Sequence, residues 1–380
     1  MTLDRSVGTQ PTPPASIGLY VHIPWCVRKC PYCDFNSHEL HGPLGEDEYV
    51  SCLLRDLDTE LTRTSATIDT VYFGGGTPSL FRPNSFARIL DHPALQSVRE
   101  VTMEANPGAV ECGSFDDYRQ AGINRVSIGV QSLNSDSLVK LGRIHSPEEA
   151  RAAVEKACDV DFHSVNVDMM FGLPNQSVEM AMDDLDALIA LKTEHISWYQ
   201  LTIEPNTVFG KRPPTVASDD DRADMCDEGL ERLADAGYRQ YEVSGFAAES
   251  GEFECRHNVN YWRFGDYLGI GAGAHGKVTL DDGTIVRTQK TRRPEDYMRD
   301  QKTRLSEIDR VELPVEFMMN VLRINDGVEN DHFVCSTGLS LQALQPVLSQ
   351  LREENLVERH RISLTDLGRN HLNSIVERFL

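Results

Sequence analysis

Six apolar, β-branched runs, at residues 18–23, 70–73, 100–104, 125–130, 164–170 and 196–202, alternate with helical patterns along the first 245 residues. The helices between them are expected at 47–62, 84–90, 114–122, 135–141, 147–159 and 177–191. A further helix at 219–236 carries acids in its first turn and Gly237 as its stop, the signals that helix ends require. Strands that alternate with helices must pair in parallel, because each crossover returns the chain to the same end of the sheet. The expected fold is therefore α/β, a partial (β/α)6 TIM-like barrel. Chemistry in such a fold gathers at the C-terminal ends of the strands.

The residues at those ends are unusual. After the first run comes Trp25-Cys26-Val-Arg-Lys-Cys30-Pro-Tyr32-Cys33, a C-x3-C-x2-C spacing. Structural zinc takes four ligands, typically two C-x2-C-like pairs, and no second pair follows. Three thiolates can instead hold three irons of a [4Fe–4S] cluster and leave the fourth iron open. After the second run comes Gly74-Gly75-Gly76-Thr77-Pro78, glycines that let a backbone approach a ligand closely. Glu104 and Gln131 close the third and fourth runs, and Arg143 and Asp168 follow in Leu-Gly-Arg-Ile and Val-Asn-Val-Asp. Arg143 and Asp168 also suit a bracing ion pair. Zinc, for the cysteines, stays open at this point.

The chain of 380 residues has a net charge of −22. Such a surface repels phosphate backbones, so no nucleic-acid partner is expected. No apolar run nears the ~20 residues of a membrane span. Residues 1–16 lack the pattern of a signal peptide and read as a disordered leader of a cytoplasmic protein. The other six cysteines, Cys52, Cys112, Cys158, Cys226, Cys255 and Cys335, are scattered singly and read as small, mostly buried hydrophobes. From 238 to 287 the pattern breaks into short strand-like pieces mixed with glycines, an irregular extension that closes one side of the barrel, and 290–309 reads as a charged crossing. Beyond it come a helix, a helix at 341–354, β-like pieces at 356–358 and 361–363, and a last helix from 365. Together they form a winged-helix-like α+β domain.

These motifs resemble the radical S-adenosylmethionine (SAM) superfamily, and within it the branch related to oxygen-independent coproporphyrinogen III oxidase. The resemblance implies a [4Fe–4S] cluster on Cys26, Cys30 and Cys33 whose free iron chelates SAM. Electron transfer from that cluster cleaves a carbon–sulfur bond of SAM in this superfamily. It assigns Tyr20, Tyr32, Gly75, Gly76, Thr77, Glu104, Gln131, Arg143 and Asp168 to SAM. It divides the chain into a leader (1–16), a core barrel (17–245), an extension with linker (246–309) and a HemN-type C-terminal domain (310–380).

A last motif, His257-Asn-Val-Asn-Tyr261-Trp262, is ordinary as a polar surface loop. It also matches the H-N-x-x-Y-W signature of one subgroup, the HemW-type heme chaperones, where it is associated with heme binding. That resemblance makes His257 a candidate heme ligand. Two functions compete. The oxidase decarboxylates two propionates; the chaperone passes heme to apo-hemoproteins, with respiratory enzymes as the expected clients. The oxidase has another cysteine two residues past its third cluster cysteine, where this chain has Phe35, and a longer N-terminal extension. Both differences favour the chaperone, with no catalytic residue assigned. On this reading the cluster gates heme release or formation of a homodimer, and membrane contact is peripheral at most.

Overall fold

The computed structural model describes residues 10–108, 113–248 and 251–380. The six expected strands are β1 (Ser16–Ile23), β2 (Thr67–Gly75), β3 (Glu100–Ala105), β4 (Arg125–Gln131), β5 (Ser164–Phe171) and β6 (His195–Gln200). They lie side by side in chain order, every pair parallel. The helices between them include α1 (Glu46–Leu61), α2 (Pro83–Leu90), α3 (Phe115–Gln120), α4 (Ser135–Lys140), α5 (Pro147–Cys158) and α6 (Val178–Ile189), followed by α7 (Asp219–Asp235). Ser114 and Ser146 cap α3 and α5 in capping boxes, satisfying the free amides of each first turn.

The stretch from 238 to 309 is more regular than its sequence suggests. It adds β7 (Tyr238–Gln240), β8 (Gly245–Ala248), β9 (Tyr267–Ile270), β10 (His275–Thr279), β11 (Ile285–Lys290) and β12 (Thr303–Glu307). The sheet order becomes β12-β11-β10-β9-β1-β2-β3-β4-β5-β6-β8-β7. The sheet is open, with β12 and β7 as edges among the described residues, so no closed barrel forms. Residues 290–309, expected to be a crossing, instead complete the sheet with β12. Between β8 and β9 runs α8 (Arg256–Trp262), which contains the H-N-x-x-Y-W residues.

The two faces of the parallel strands differ in kind. The residues facing the helices are apolar: Leu19, Val21, Val71, Phe73, Val126, Ile128, Val165, Val167, Ile196 and Trp198 belong to the main core. Their alternation partners are polar: Tyr20 and His22, Thr70 and Tyr72, Thr102 and Glu104, Arg125 and Ser127, Asn166 and Asp168, Ser197 and Tyr199. A barrel interior is ordinarily packed with branched apolar side chains. A polar concave face of this kind costs desolvation and is built to hold something.

A buried ion cluster fastens the extension to the barrel. Lys290 at the end of β11 meets Asp56 and, at 2.7 Å, Glu60, both on α1. The Lys290 ammonium also donates to the Thr303 hydroxyl at 2.8 Å, and the Tyr297 hydroxyl donates to Asp56 at 2.7 Å.

The C-terminal unit has its own core of Phe317, Val321, Phe333, Leu348, Leu351 and Ile362. It holds α10 (Leu313–Val321) and α11 (Asn330–Thr337), counting the helix Pro294–Arg299 as α9. Val328–Glu329 pairs antiparallel with Arg361–Ile362. The helix expected at 341–354 is split into a 3-10 turn, Leu341–Leu344, and a helix, Val347–Glu353. Pro346 has no amide to donate and pushes the preceding residue out of helical conformation. The last helix is likewise two, Asp366–Arg369 and Leu372–Glu377.

Part of the expected leader, residues 1–9, lies outside the described residues. Residues 10–16 are placed: the Ala15 carbonyl accepts from the Thr67 amide at 3.0 Å, and Thr12 donates to the Cys335 carbonyl at 3.4 Å. Cys112 lies outside the described residues too. Of the other single cysteines, Cys52 and Cys255 are buried, Cys226 is half-buried, and Cys158 and Cys335 are exposed, contrary to expectation. A cysteine on a helix beside a cavity has no core to enter, as Cys335 on α11 illustrates.

Candidate functional site

The loop after β1 carries the cysteines. Trp25–Cys26 forms a short parallel pair with His38–Glu39, and the Cys33 amide donates to the Cys30 carbonyl at 3.1 Å. The glycine turn after β2 clasps this loop, with the Gly76 amide on the Ile23 carbonyl at 2.7 Å and the Thr77 amide on the Trp25 carbonyl at 2.8 Å. A Cβ on Gly76 would stand 2.4 Å from the Trp25 carbonyl oxygen. Gly75, at φ +115°, would drive a Cβ to 2.4 Å from the His22 ring. Both positions therefore need glycine.

All three thiols open onto one cavity of about 470 Å3 at the C-terminal ends of the strands, a volume suited to a single small-molecule ligand. The same cavity is lined by Tyr32, Gly75, Gly76, Thr77, Glu104, Gln131, Arg143 and Asp168. Tyr20 is not on its wall. It lies one ring behind Tyr72, 6.3 Å between centroids, with its hydroxyl 3.0 Å from His22 Nδ1.

Arg143 ties the halves of the site together. Its guanidinium donates to Cys30 Sγ at 3.6 Å, to Asn106 Oδ1 at 2.5 Å and to the Gly129 carbonyl at 2.5 Å. It braces the cysteine loop, in place of the ion pair with Asp168 that the sequence also allowed. Asp168 is held instead by Ser127 and Asn166, at 3.1 and 2.9 Å. Gln131 takes the left-handed conformation, φ 70°, and accepts from the Tyr199 hydroxyl at 2.5 Å. Such backbone strain persists where a site over-determines it.

Glu104 accepts from the Gly75 amide at 3.0 Å and from the Tyr72 hydroxyl at 3.1 Å. Burial, with the Asp168 charge adding to it, raises its carboxyl to about 7. The native state then keeps a proton that the unfolded chain loses near the ordinary glutamate value. Stability contributed by this group therefore falls as pH rises from about 4.5 to about 7. Glu104→Gln is expected to remove that fall, making the variant more stable than the parent at pH 7 by about 3 kcal/mol at most. Urea unfolding of both proteins across pH 5–8 checks it; parallel curves would show that Glu104 does not titrate in this window.

The cysteines suit a cluster better than a single ion. Structural zinc takes four ligands, and among the described residues the cavity onto which the three thiols open is lined by no fourth cysteine and no histidine. A [4Fe–4S] cluster asks for thiolates on separate irons, spread around it. Burial pushes the Cys26 thiol up to about 11, so iron binding must displace its proton.

His257 lies at the opposite end of the sheet. Glu100 at the start of β3 accepts from the Arg256 and His257 amides, at 2.9 and 3.0 Å, and so caps α8 across the barrel floor. The His257 ring is 8% exposed, with Nδ1 3.0 Å from the Thr70 hydroxyl and its centroid 5.2 Å from that of Tyr72. Burial lowers its imidazole to about 4. It lines neither the cluster cavity nor the cavity outside α8. Direct ligation of an iron by His257 would require α8 to leave the floor.

Sequence reasoning passed over Tyr72, Asn106, Ser127, Ser197 and Tyr199, all on the cavity wall. The signal was present: each strand residue among them stands two positions from another inward-facing residue, the period of a strand face.

Residues 20–188 match the Radical SAM superfamily and residues 308–370 the HemN C-terminal domain. A protein named heme chaperone HemW from Escherichia coli is 46% identical over 376 residues, covering 97% of this chain and 98% of that one. Its namesake from Haemophilus influenzae is 45% identical, with the same coverage. The mitochondrial radical S-adenosyl methionine domain-containing protein 1 of Mus musculus is 37% identical over 350 residues, covering 86% and 78%. The solved structure of coproporphyrinogen III oxidase from Escherichia coli superposes with a TM-score of 0.79 at 21% identity, over 97% of this chain and 91% of that one. It establishes the fold. Radical SAM proteins carry a [4Fe–4S] cluster and bind SAM, and the cysteine loop and cavity suit both. This chain belongs to the HemW family of radical SAM proteins.

Proposed function

We propose that this protein is a heme chaperone, binding heme and handing it to apo-hemoproteins of the respiratory chain. What carries the reading is the near end-to-end similarity to proteins named heme chaperones. The cavity beside the cysteine loop, about 470 Å3, is of a size for one small-molecule ligand such as SAM.

Cys26, Cys30 and Cys33 hold the cluster, braced by Arg143. The cluster would supply a one-electron redox centre whose fourth iron, free of protein ligands, is the place for SAM. Glu104 and Asp168 put two carboxylates where the cationic groups of SAM are to be held. Tyr20 fixes Tyr72 behind them. Tyr32, Gln131 and the Gly75–Thr77 turn complete the wall. His257 acts as a positioning residue, fixing α8 from inside through Thr70 while the other face of that helix serves heme.

The protein is taken to work in the cytoplasm, as a homodimer, with membrane contact at most peripheral. Among the described residues no helix is long and apolar enough to cross a membrane.

Two assays on one anaerobic, reconstituted sample test the function. Hemin is expected to bind saturably with a Soret shift, and coproporphyrinogen III with SAM is expected to yield no protoporphyrinogen. Turnover of that substrate would make the protein an oxidase. In His257→Ala, hemin affinity is expected to drop while the Soret maximum stays put; a moved maximum would restore His257 as a ligand.

A further inference from the structure

A second cavity, of about 540 Å3, opens at the N-terminal ends of the strands, between α8 and α11 of the C-terminal unit. Asp69 lines it, whereas Gly75 lines the cluster cavity. Six residues of one strand separate the two, about 20 Å. They are distinct sites.

The outer face of α8 presents Arg256 and Val259 to this cavity, and the C-cap Arg263 and then Phe264 follow. From α11 come His332 and Cys335, one turn apart on the same face. The His332 Nε2 proton is donated to the Arg263 carbonyl at 2.7 Å, which leaves the lone pair on Nδ1. Cys335 is exposed. An imidazole nitrogen and a thiol are both iron ligands.

The charges are arranged for an anion as well. Four carboxylates line the cavity: Glu252, Asp69, which pairs with Arg99, Asp266 with Lys277, and Glu254 with Arg239. Arg256 and Arg263 form no ion pair among the described residues. Arg256 opens α8 and Arg263 is its C-cap, seven residues on and about 10 Å along the axis. That spacing suits the two carboxylates on one edge of a tetrapyrrole, with Val259 and Phe264 against the ring.

We propose that this outer cavity is the heme site. The propionates meet Arg256 and Arg263, and one axial ligand comes from the His332–Cys335 pair on α11. The proposal rests on the heme-chaperone reading and gives it a place: heme bridges the core and the C-terminal unit, on the far side of α8 from the SAM cavity.

The test is an anaerobic hemin titration of the full-length, cluster-loaded protein and its variants. His332→Ala/Cys335→Ser together should weaken binding by about tenfold, equivalent to ~1.4 kcal/mol. The single variant whose Soret maximum and low-spin EPR signal move identifies the ligand. Arg256→Gln/Arg263→Gln should weaken hemin but leave hemin dimethyl ester, which lacks free carboxylates, as in the parent. Parent-like affinity and spectra in the double His332/Cys335 variant would overturn the site while leaving a heme-binding protein. A parent that binds no hemin would overturn both the site and the chaperone reading. Cys335→Ser is an exposed, near-isosteric change, and an unaltered melting curve separates loss of ligand from loss of fold.

Discussion

Cys30→Ser is expected to abolish cluster loading. Reconstituted anaerobically, the parent should hold about four irons and four sulfides and the variant close to none, with the broad visible absorption of the cluster gone. Cys30 is the thiol that Arg143 contacts, at 3.6 Å. With three protein thiolates on a four-iron cluster, none is spare. A hydroxyl is a poor, hard ligand for iron in such a site. The same guanidinium stays anchored by Asn106 and Gly129, so the loop should keep its shape and the loss be one of ligation. Near-parental far-UV circular dichroism with absent iron is the expected pair of results. Full iron and sulfide in the variant would remove Cys30 from the cluster.

Lys290→Met should be the most destabilising single change outside the core. The ammonium is fully buried against two carboxylates, Asp56 and Glu60. Removing it leaves both carboxylates in a dry site facing each other. Breaking a buried pair in this way costs about 3–5 kcal/mol. Burial already raises the Asp56 carboxyl, with Lys290 working against it, so loss of the lysine should make Asp56 take up a proton. The effect reaches beyond α1, because β11 and Thr303 at the start of β12 hang on the same group. The midpoint of urea unfolding reports the loss. An unchanged midpoint would mean that water or a neighbouring group replaces the charge. Lys290→Met/Asp56→Leu/Glu60→Leu, which removes all three charges, should recover part of the stability, as apolar replacements of buried ionic groups do.

The β/α core was legible because its signals are local. Apolar runs of strand length, serine caps and glycine stops are each decided within a few residues, and the observed bounds differ from the expected ones by no more than three residues at any strand end. The site residues at the strand ends were legible for a related reason. Given the fold, position at a C-terminal end implies the cavity. What remained hidden is set by distant contacts. Nothing in His257-Asn-Val-Asn-Tyr-Trp says that Glu100, 157 residues earlier, receives the His257 amide beside that of Arg256 and turns the imidazole inward. Between 238 and 287 the sequence showed only short strand-like pieces, and β12 was not visible at all, because several of these strands have only three to five residues, too few for a periodic pattern. Pro346 is the reverse case: a local signal that should have divided the helix expected at 341–354.

The polar concave face has a consequence for how much of this protein persists. Its side chains stabilise the fold little while the cavity they line holds only water. A molecule that binds only the folded chain shifts the folding equilibrium by mass action, about 2.7 kcal/mol at a hundredfold excess over its dissociation constant. For a chain of ordinary marginal stability that is a large share of the total. The steady-state level of the protein should therefore follow the supply of the small molecules it carries, rising when they are plentiful and yielding to proteolysis when they are scarce.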